Sequence, residues 1–253
     1  MKKYSRLFLI FKVVCFAVFF FSINIYTQSL IKKTTSVSAL EQSQTEVNAL
    51  ENKLTKLNQN QGKSKKIYIY STHQQEEYVG GNVVEGSKYL AQTLEKMGYE
   101  VIVEESDFEA YGASKGLNYN KLYNVSNTFL TEAILKHGGF DMIIDFHRDS
   151  VGANVSRLMS NNKSYAKMMF VIGKLSENVE SVRNTSQALS SLIESYVPGI
   201  SRGILEREAY YNQFVAKKML LIEVGGVENE FSEVKYSLEV LALAINDYLS
   251  NES

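Results

Sequence analysis

Three short apolar runs each close on a residue able to bind a metal or move a proton. The first is Ile67-Tyr68-Ile69-Tyr70-Ser71-Thr72-His73, followed by Gln74-Gln75-Glu76. The second is Met142-Ile143-Ile144-Asp145-Phe146-His147, and the third Met219-Leu220-Leu221-Ile222-Glu223, followed by Val224-Gly225-Gly226. Taken as strands of an α/β sheet, they bring His73, His147 and Glu223 to carboxyl ends, where open α/β folds keep their sites. Two imidazoles and two carboxylates gathered there are the side chains a hydrolytic zinc centre needs.

Ordinary roles compete with this chemistry at every position. Of the three histidines, His137 falls at the end of a predicted helix beside Gly138-Gly139, where a cation favours the C-terminal dipole; it is expected to be structural. A single strand-end histidine is commonly a hydrogen-bonded loop residue, but His73 and His147 occupy corresponding places in one small domain. The spacing His73-x-x-Glu76 lets both side chains turn onto one ion. Glu85, at the start of the following helix, is the alternative third ligand, unless it simply complements that helix's N-terminal dipole. Glu223 ends an apolar strand, where a carboxylate is costly to desolvate without a partner or a task. Asp145, two residues before His147, could orient a metal-bound imidazole.

The elements that must position these groups alternate along residues 66–253. A strand is predicted at 66–72, and a helix at about 83–97 with Val84, Leu90, Leu94 and Met97 on one face and Gly98 as its stop. A strand at 99–103 leads into a Tyr/Asn/Gly-rich loop, then a helix near 123–137. Residues 140–146 form a strand apolar enough to be covered on both faces. A strand at 167–172, a helix at 180–196 running into the single proline of the chain, a strand at 218–223 and a helix at 231–249 complete the order. Such β-α alternation means a three-layer α/β/α sandwich with a largely parallel sheet. About 190 residues suffice for one well-buried domain.

The front of the chain sets the compartment. Lys2, Lys3 and Arg6 precede an apolar stretch from Leu7 to about Tyr26, close to the roughly 20 residues that cross a bilayer. Basic residues on its amino side favour an N-inside orientation, which puts the catalytic domain outside the cytoplasm of a single-pass cell-membrane protein. The nearest small-x-small cleavage site, Val37-Ser38-Ala39, lies far beyond the apolar run, so residues 1–30 are expected to be an anchor rather than a cleaved signal peptide. Residues 31–65 form a polar stalk in which Leu40, Val47, Leu50, Leu54 and Leu57 recur at near-heptad spacing, a short helical tether or coiled coil. The only cysteine, Cys15, lies in the apolar stretch, so the exported part has no disulfide and no cysteine site. A net charge of −1 and the lack of a basic patch give no case for nucleic acid.

Along these same residues the chain resembles the stage II sporulation protein P family of membrane-anchored N-acetylmuramoyl-L-alanine amidases. The matching stretches are Ser71-Thr72-His73-Gln74-Gln75-Glu76-Glu77-Tyr78, Asp145-Phe146-His147-Arg148-Asp149-Ser150, Tyr196-Val197-Pro198-Gly199 with Arg202-Gly203, Tyr211-Asn212-Gln213, and Leu221-Ile222-Glu223-Val224-Gly225-Gly226. They run in the family's order across residues 66–249. The resemblance implies zinc as cofactor, with His73 and His147 as ligands and Glu223 as the catalytic carboxylate. Glu76 fits the His-x-x-Glu arrangement of related peptidases and is preferred to Glu85, which fits the helix-start glutamate of muramoyl amidases. Arg148 is expected to help stabilise the oxyanion, and Tyr111, Tyr119, Tyr211 and Asn212 to border a groove for glycan or peptide. The implied substrate is peptidoglycan, cut between the lactyl group of N-acetylmuramic acid and L-alanine, with a lytic transglycosylase of the sporulation machinery as partner. A zinc carboxypeptidase or endopeptidase on stem peptides, and a non-catalytic wall-binding scaffold, are the alternatives. The short stalk departs from the longer region that family members usually carry.

Overall fold

The computed structural model describes residues 64–251; the expected anchor and all but the last residues of the expected stalk lie outside them. Among the described residues no helix is long and apolar enough to cross a membrane. The described part falls within a compact unit spanning Asn60–Ser253.

The central feature is a six-stranded sheet. Its strands are β1 (Lys66–Tyr70), β4 (Glu100–Val103), β5 (Met142–Asp149), β8 (Met168–Gly173), β9 (Ser201–Arg207) and β10 (Met219–Gly226). They lie in the order β4-β1-β5-β10-β8-β9. The pairings of β4 with β1, β1 with β5, β5 with β10 and β8 with β9 are parallel, whereas β8 runs antiparallel to β10. The sheet is therefore mostly parallel, with β8 and β9 reversed at one end. Two two-stranded hairpins flank it: β2 (Glu77–Tyr78) with β3 (Gly81–Asn82), and β6 (Arg157–Ser160) with β7 (Lys163–Ala166).

Helices cover both faces, because successive strand residues point to opposite sides and both sides are apolar. Tyr68, Tyr70, Ile143 and Met219 face one way and pack against Phe108 of α2 (Phe108–Ser114) and Leu122, Val125, Leu130 and Ala133 of α3 (Leu122–His137). The opposite face carries the buried Ile67, Ile69, Ile144 and Phe146. There α1 (Val83–Glu95), α5 (Val179–Tyr196) and α6 (Phe231–Ser250) pack on the sheet and on one another. The one-turn α4 (Ala153–Ser156) joins β5 to β6.

Several elements depart from the sequence expectation. The Tyr/Asn/Gly-rich segment after β4 holds α2 and a 3₁₀ turn at Tyr119–Lys121, since Asp107 caps α2 by accepting from Ala110 N at 2.8 Å. The edge strand β9 was not expected, and neither hairpin was. Asn161 and Asn162 form the β6–β7 turn with φ of 48° and 60°, left-handed values that asparagine tolerates better than most side chains. Finally, β5 and β10 run past the chemistry-bearing residues: His147 is two residues short of the end of β5, and Glu223 three short of the end of β10.

Candidate active site

The adjacent strands β1, β5 and β10 run parallel, so their carboxyl ends meet at one edge. The period of two puts Asp145 and His147 on the face of Ile143, and Glu223 on the face of Leu221. Register completes the arrangement, because Glu223 is the direct partner of His147 across the β5–β10 ladder. A polar pair is thereby fixed on neighbouring strands by backbone hydrogen bonds alone. The ladder shifts after Glu223 and resumes at Gly226. Gly225 there adopts φ of 72°, and a Cβ on Gly226 would meet Val151 O at 2.2 Å. Only glycines allow the chain to turn and approach so closely.

The loop after β1 supplies the other two side chains. Glu76 N donates to His73 O at 3.1 Å, so the His-x-x-Glu spacing is a single tight turn. Glu76 Oε2 accepts from the backbone N of Arg148 at 3.0 Å and lies 3.3 Å from His147 Nδ1. The His73 and His147 rings stand 5.4 Å apart at 67°. Tyr119 stacks on His73 at 4.4 Å, and Tyr123 meets it edge-on at 5.6 Å. His73, Glu76, His147 and Glu223 thus share one small region at the sheet's carboxyl edge.

Below the histidine lies Asp145, wholly buried. Its carboxylate accepts from Thr72 N at 2.9 Å and Thr72 Oγ1 at 2.8 Å. His147 Nε2 is 2.9 Å from Asp145 Oδ1, but off the line a hydrogen bond needs, so this nitrogen has no hydrogen-bond partner. Burial alone would push the His147 imidazole down; the carboxylates of Asp145 and Glu76 outweigh it and hold it well above its ordinary value. Burial, helped by the His147 charge, pushes His73 down. Burial pushes Glu223 up to about 7, against the opposing pull of His147 and with Glu76 and Asp149 adding to the rise. Such a carboxyl is poised to exchange a proton near neutrality.

Other expected residues go elsewhere. Glu85 is exposed and engaged in a capping box: its Oε2 accepts from Asn82 N at 3.1 Å while Asn82 Oδ1 accepts from Glu85 N at 2.9 Å. Arg148 lies on the opposite strand face from His147, and its guanidinium donates to Glu77 O at 2.9 Å and Asp149 O at 3.2 Å. These carbonyls direct it to the loop scaffold, and its backbone N–H, rather than its charge, reaches a candidate ligand. Tyr111 packs on Phe129 in the core at 5.0 Å. His137 ends α3 beside Gly138 in a left-handed cap, as expected of a structural residue. Tyr123, which touches both histidines and Tyr211, was missed. As the second residue of α3 it carries no signal until the fold packs it against Leu221 of β10.

The donor types suit a divalent metal. Three polar atoms here, His73 Nδ1, His147 Nε2 and Glu223 Oε2, are buried without a hydrogen-bond partner. Each such atom costs about 1–3 kcal/mol unless something satisfies it. As the side chains stand, Glu76 is turned onto His147, and among the described residues no three His, Cys, Asp or Glu side chains already converge on one point. Two imidazoles and a carboxylate are nonetheless the donor set of a hydrolytic zinc site.

Residues 22–246 match the family model of stage II sporulation protein P. The chain belongs to the stage II sporulation protein P family. Stage II sporulation protein P of Bacillus subtilis (strain 168) is 30% identical over 201 residues, covering 72% of this chain and 50% of that relative. The chain therefore spans about half the length of the curated relative it matches. Among solved structures, it is similar to the CwlD amidase from Clostridioides difficile, solved in complex with the GerS lipoprotein, at a TM-score of 0.51 and 15% identity. That match covers 74% of this chain and 99% of the amidase and shows a shared mixed α/β fold with a central, mostly parallel sheet. The stretches on which the sequence resemblance rests include those brought together here: the His73 turn, the β5 end and the β10 end.

Proposed function

We propose that this stage II sporulation protein P relative is a zinc-dependent N-acetylmuramoyl-L-alanine amidase of the cell wall, acting in sporulation. The observation that carries the proposal is the register pairing of Glu223 with His147, which sets a carboxyl poised near 7 beside two buried, incompletely satisfied imidazoles. His73, Glu76 and His147 would hold the metal. When bound there, zinc polarises the amide carbonyl and lowers the pKa of water to about 7.

The remaining work falls to the chain's own groups. Glu223 takes the proton of the attacking water at its carboxylate and returns it to the leaving amine nitrogen. Asp145, fixed by two bonds from Thr72, stands 2.9 Å from His147 Nε2 and orients the ring through its charge rather than through a hydrogen bond. The Arg148 backbone N–H holds the Glu76 carboxylate. Tyr119, stacked on His73, shields that ring from water. An amidase strips stem peptides and leaves glycan strands whole, so a glycan-cleaving lytic transglycosylase is the complementary partner the chemistry calls for.

Mass spectrometry of digested muropeptides tests the bond. The expected products are free stem peptides beginning with L-alanine and glycan with intact lactyl groups. Products shortened within the stem peptide would identify a peptidase instead, and no product at all a wall-binding scaffold.

We also propose an extracytoplasmic catalytic domain, from Lys2, Lys3 and Arg6 ahead of the apolar stretch from Leu7. External protease should remove a carboxyl-terminal tag from the membrane-bound chain; a tag protected until the membrane is breached would overturn this.

A further inference from the structure

Beside the histidines lies a groove of about 490 Å³ whose lining includes Tyr123, Asn124, Asn127, Tyr210, Tyr211 and Phe214. Tyr123 joins the two regions, with its ring 5.6 Å from that of His73 and 5.4 Å from that of Tyr211. We propose that this groove binds the glycan part of the substrate, seating an N-acetylated amino sugar next to the bond that is cut. The inference rests on the amidase reading and adds to it which half of the substrate the groove takes.

Four observations carry the proposal. Tyr210 and Phe214 pack edge to face at 6.2 Å while remaining 56% and 40% exposed. Such a pair offers flat, partly apolar faces for the C–H side of a pyranose. Asn127 Nδ2, in the lining, is a buried donor without a partner, and an acetamido carbonyl or a sugar hydroxyl would satisfy it. Tyr211 and Asn212 both hold left-handed φ, 49° and 57°. Hydrogen bonds from Asn212 Nδ2 to Tyr123 O at 3.2 Å and to the buried Ser126 Oγ at 3.1 Å keep them there. Strain of this kind is retained where side chains must be presented in one orientation.

The charge of the lining decides between sugar and peptide. Among the described residues no lysine or arginine lines the groove, and the one carboxylate in its lining, Glu208, is paired with Lys174. A stem peptide carries free carboxylates and would call for a cation, whereas a neutral amino sugar is recognised by rings and amides.

Calorimetry on the full-length chain in detergent, with chitotetraose and separately with a free stem tripeptide, tests the assignment. Chitotetraose should bind, and Tyr210→Ala or Phe214→Ala should each weaken it roughly tenfold. Asn127→Asp, which keeps the shape but replaces the donor, should weaken it too. Tripeptide binding, metal content and melting temperature should stay as in the parent chain. No binding of chitotetraose to the parent chain, or equal binding by all three variants, would overturn the proposal. So would variants that lose the tripeptide instead. If chitotetraose binds as described but muropeptides are never cut at the lactyl amide, the amidase reading falls and the sugar groove stands.

Discussion

Glu223→Gln will keep its fold and its metal and hydrolyse wall fragments about 10² to 10⁴ times more slowly, the usual worth of a positioned proton transfer. The amide is isosteric with the carboxyl it replaces, and the backbone of β10 is fixed by its ladders to β5 and β8. Glutamine cannot take up the water's proton, so the loss falls on kcat. The parent enzyme's rate should rise with pH through the ionisation of Glu223. Burial pushes that carboxyl up to about 7, and a cation bound at the histidines would lower it. The base form exists above the pKa, so the rising limb belongs at or below pH 7 and disappears in the variant. Normal turnover by Glu223→Gln would remove it from the mechanism. Loss of zinc by that variant would make Glu223 a ligand.

His147→Ala is expected to abolish activity and to lose nearly all zinc, measured by elemental analysis of the purified chain. Removing even an outer-shell partner costs roughly 10–100-fold in metal affinity, and a direct ligand should cost more. The substitution also removes the imidazole between Asp145 and Glu76, leaving two carboxylates that keep their bonds from Thr72 and Arg148 N but lose the cation that offsets their mutual repulsion. His73→Ala should lose zinc equally, without that second penalty, because Tyr119 and Tyr123 are its main neighbours. Glu85→Gln serves as the contrast: it should touch only the capping box and leave zinc and rate unchanged. Full zinc and activity in both histidine variants would end the metal reading.

The apolar runs at β1, β5 and β10 were legible because parallel strands buried on both faces read as near-continuous apolar segments, in β1 with Tyr68 and Tyr70 among the isoleucines. A polar residue in such a run looks like its end, so His147 and Glu223 were taken as terminal although both strands continue. What makes them a pair is register, and register lies between strands, not along one. The reversal of β8 had no signature either, since a strand's direction depends on where its connection crosses. Edge strand β9 was missed because its Ser201–Arg207 sequence is half-exposed and mostly polar. The β6–β7 hairpin was readable in principle from Asn161-Asn162, a two-residue turn of the type that accepts left-handed φ. Asp145 was foreseen as an orienting group, but not its bonds to Thr72, which join segments more than seventy residues apart.

The pairing of Glu223 with His147 has a bearing on how such an enzyme can be switched. The proton acceptor and one metal ligand ride on strands whose separation would require breaking the middle of the sheet. No partner can silence the protein by pulling these two apart without unfolding it. His73 and Glu76, by contrast, sit on a turn outside the sheet, held by its own backbone bond, by Val83 N on Glu76 O, by Arg148 N and by the bonds of Gln74 to Ser106 O and Phe108 N. Tyr119, over His73, belongs to a short 3₁₀ turn. A regulator of the proposed activity would therefore have to act on the side that carries His73, Glu76 and Tyr119, which can shift without parting any strand of the sheet.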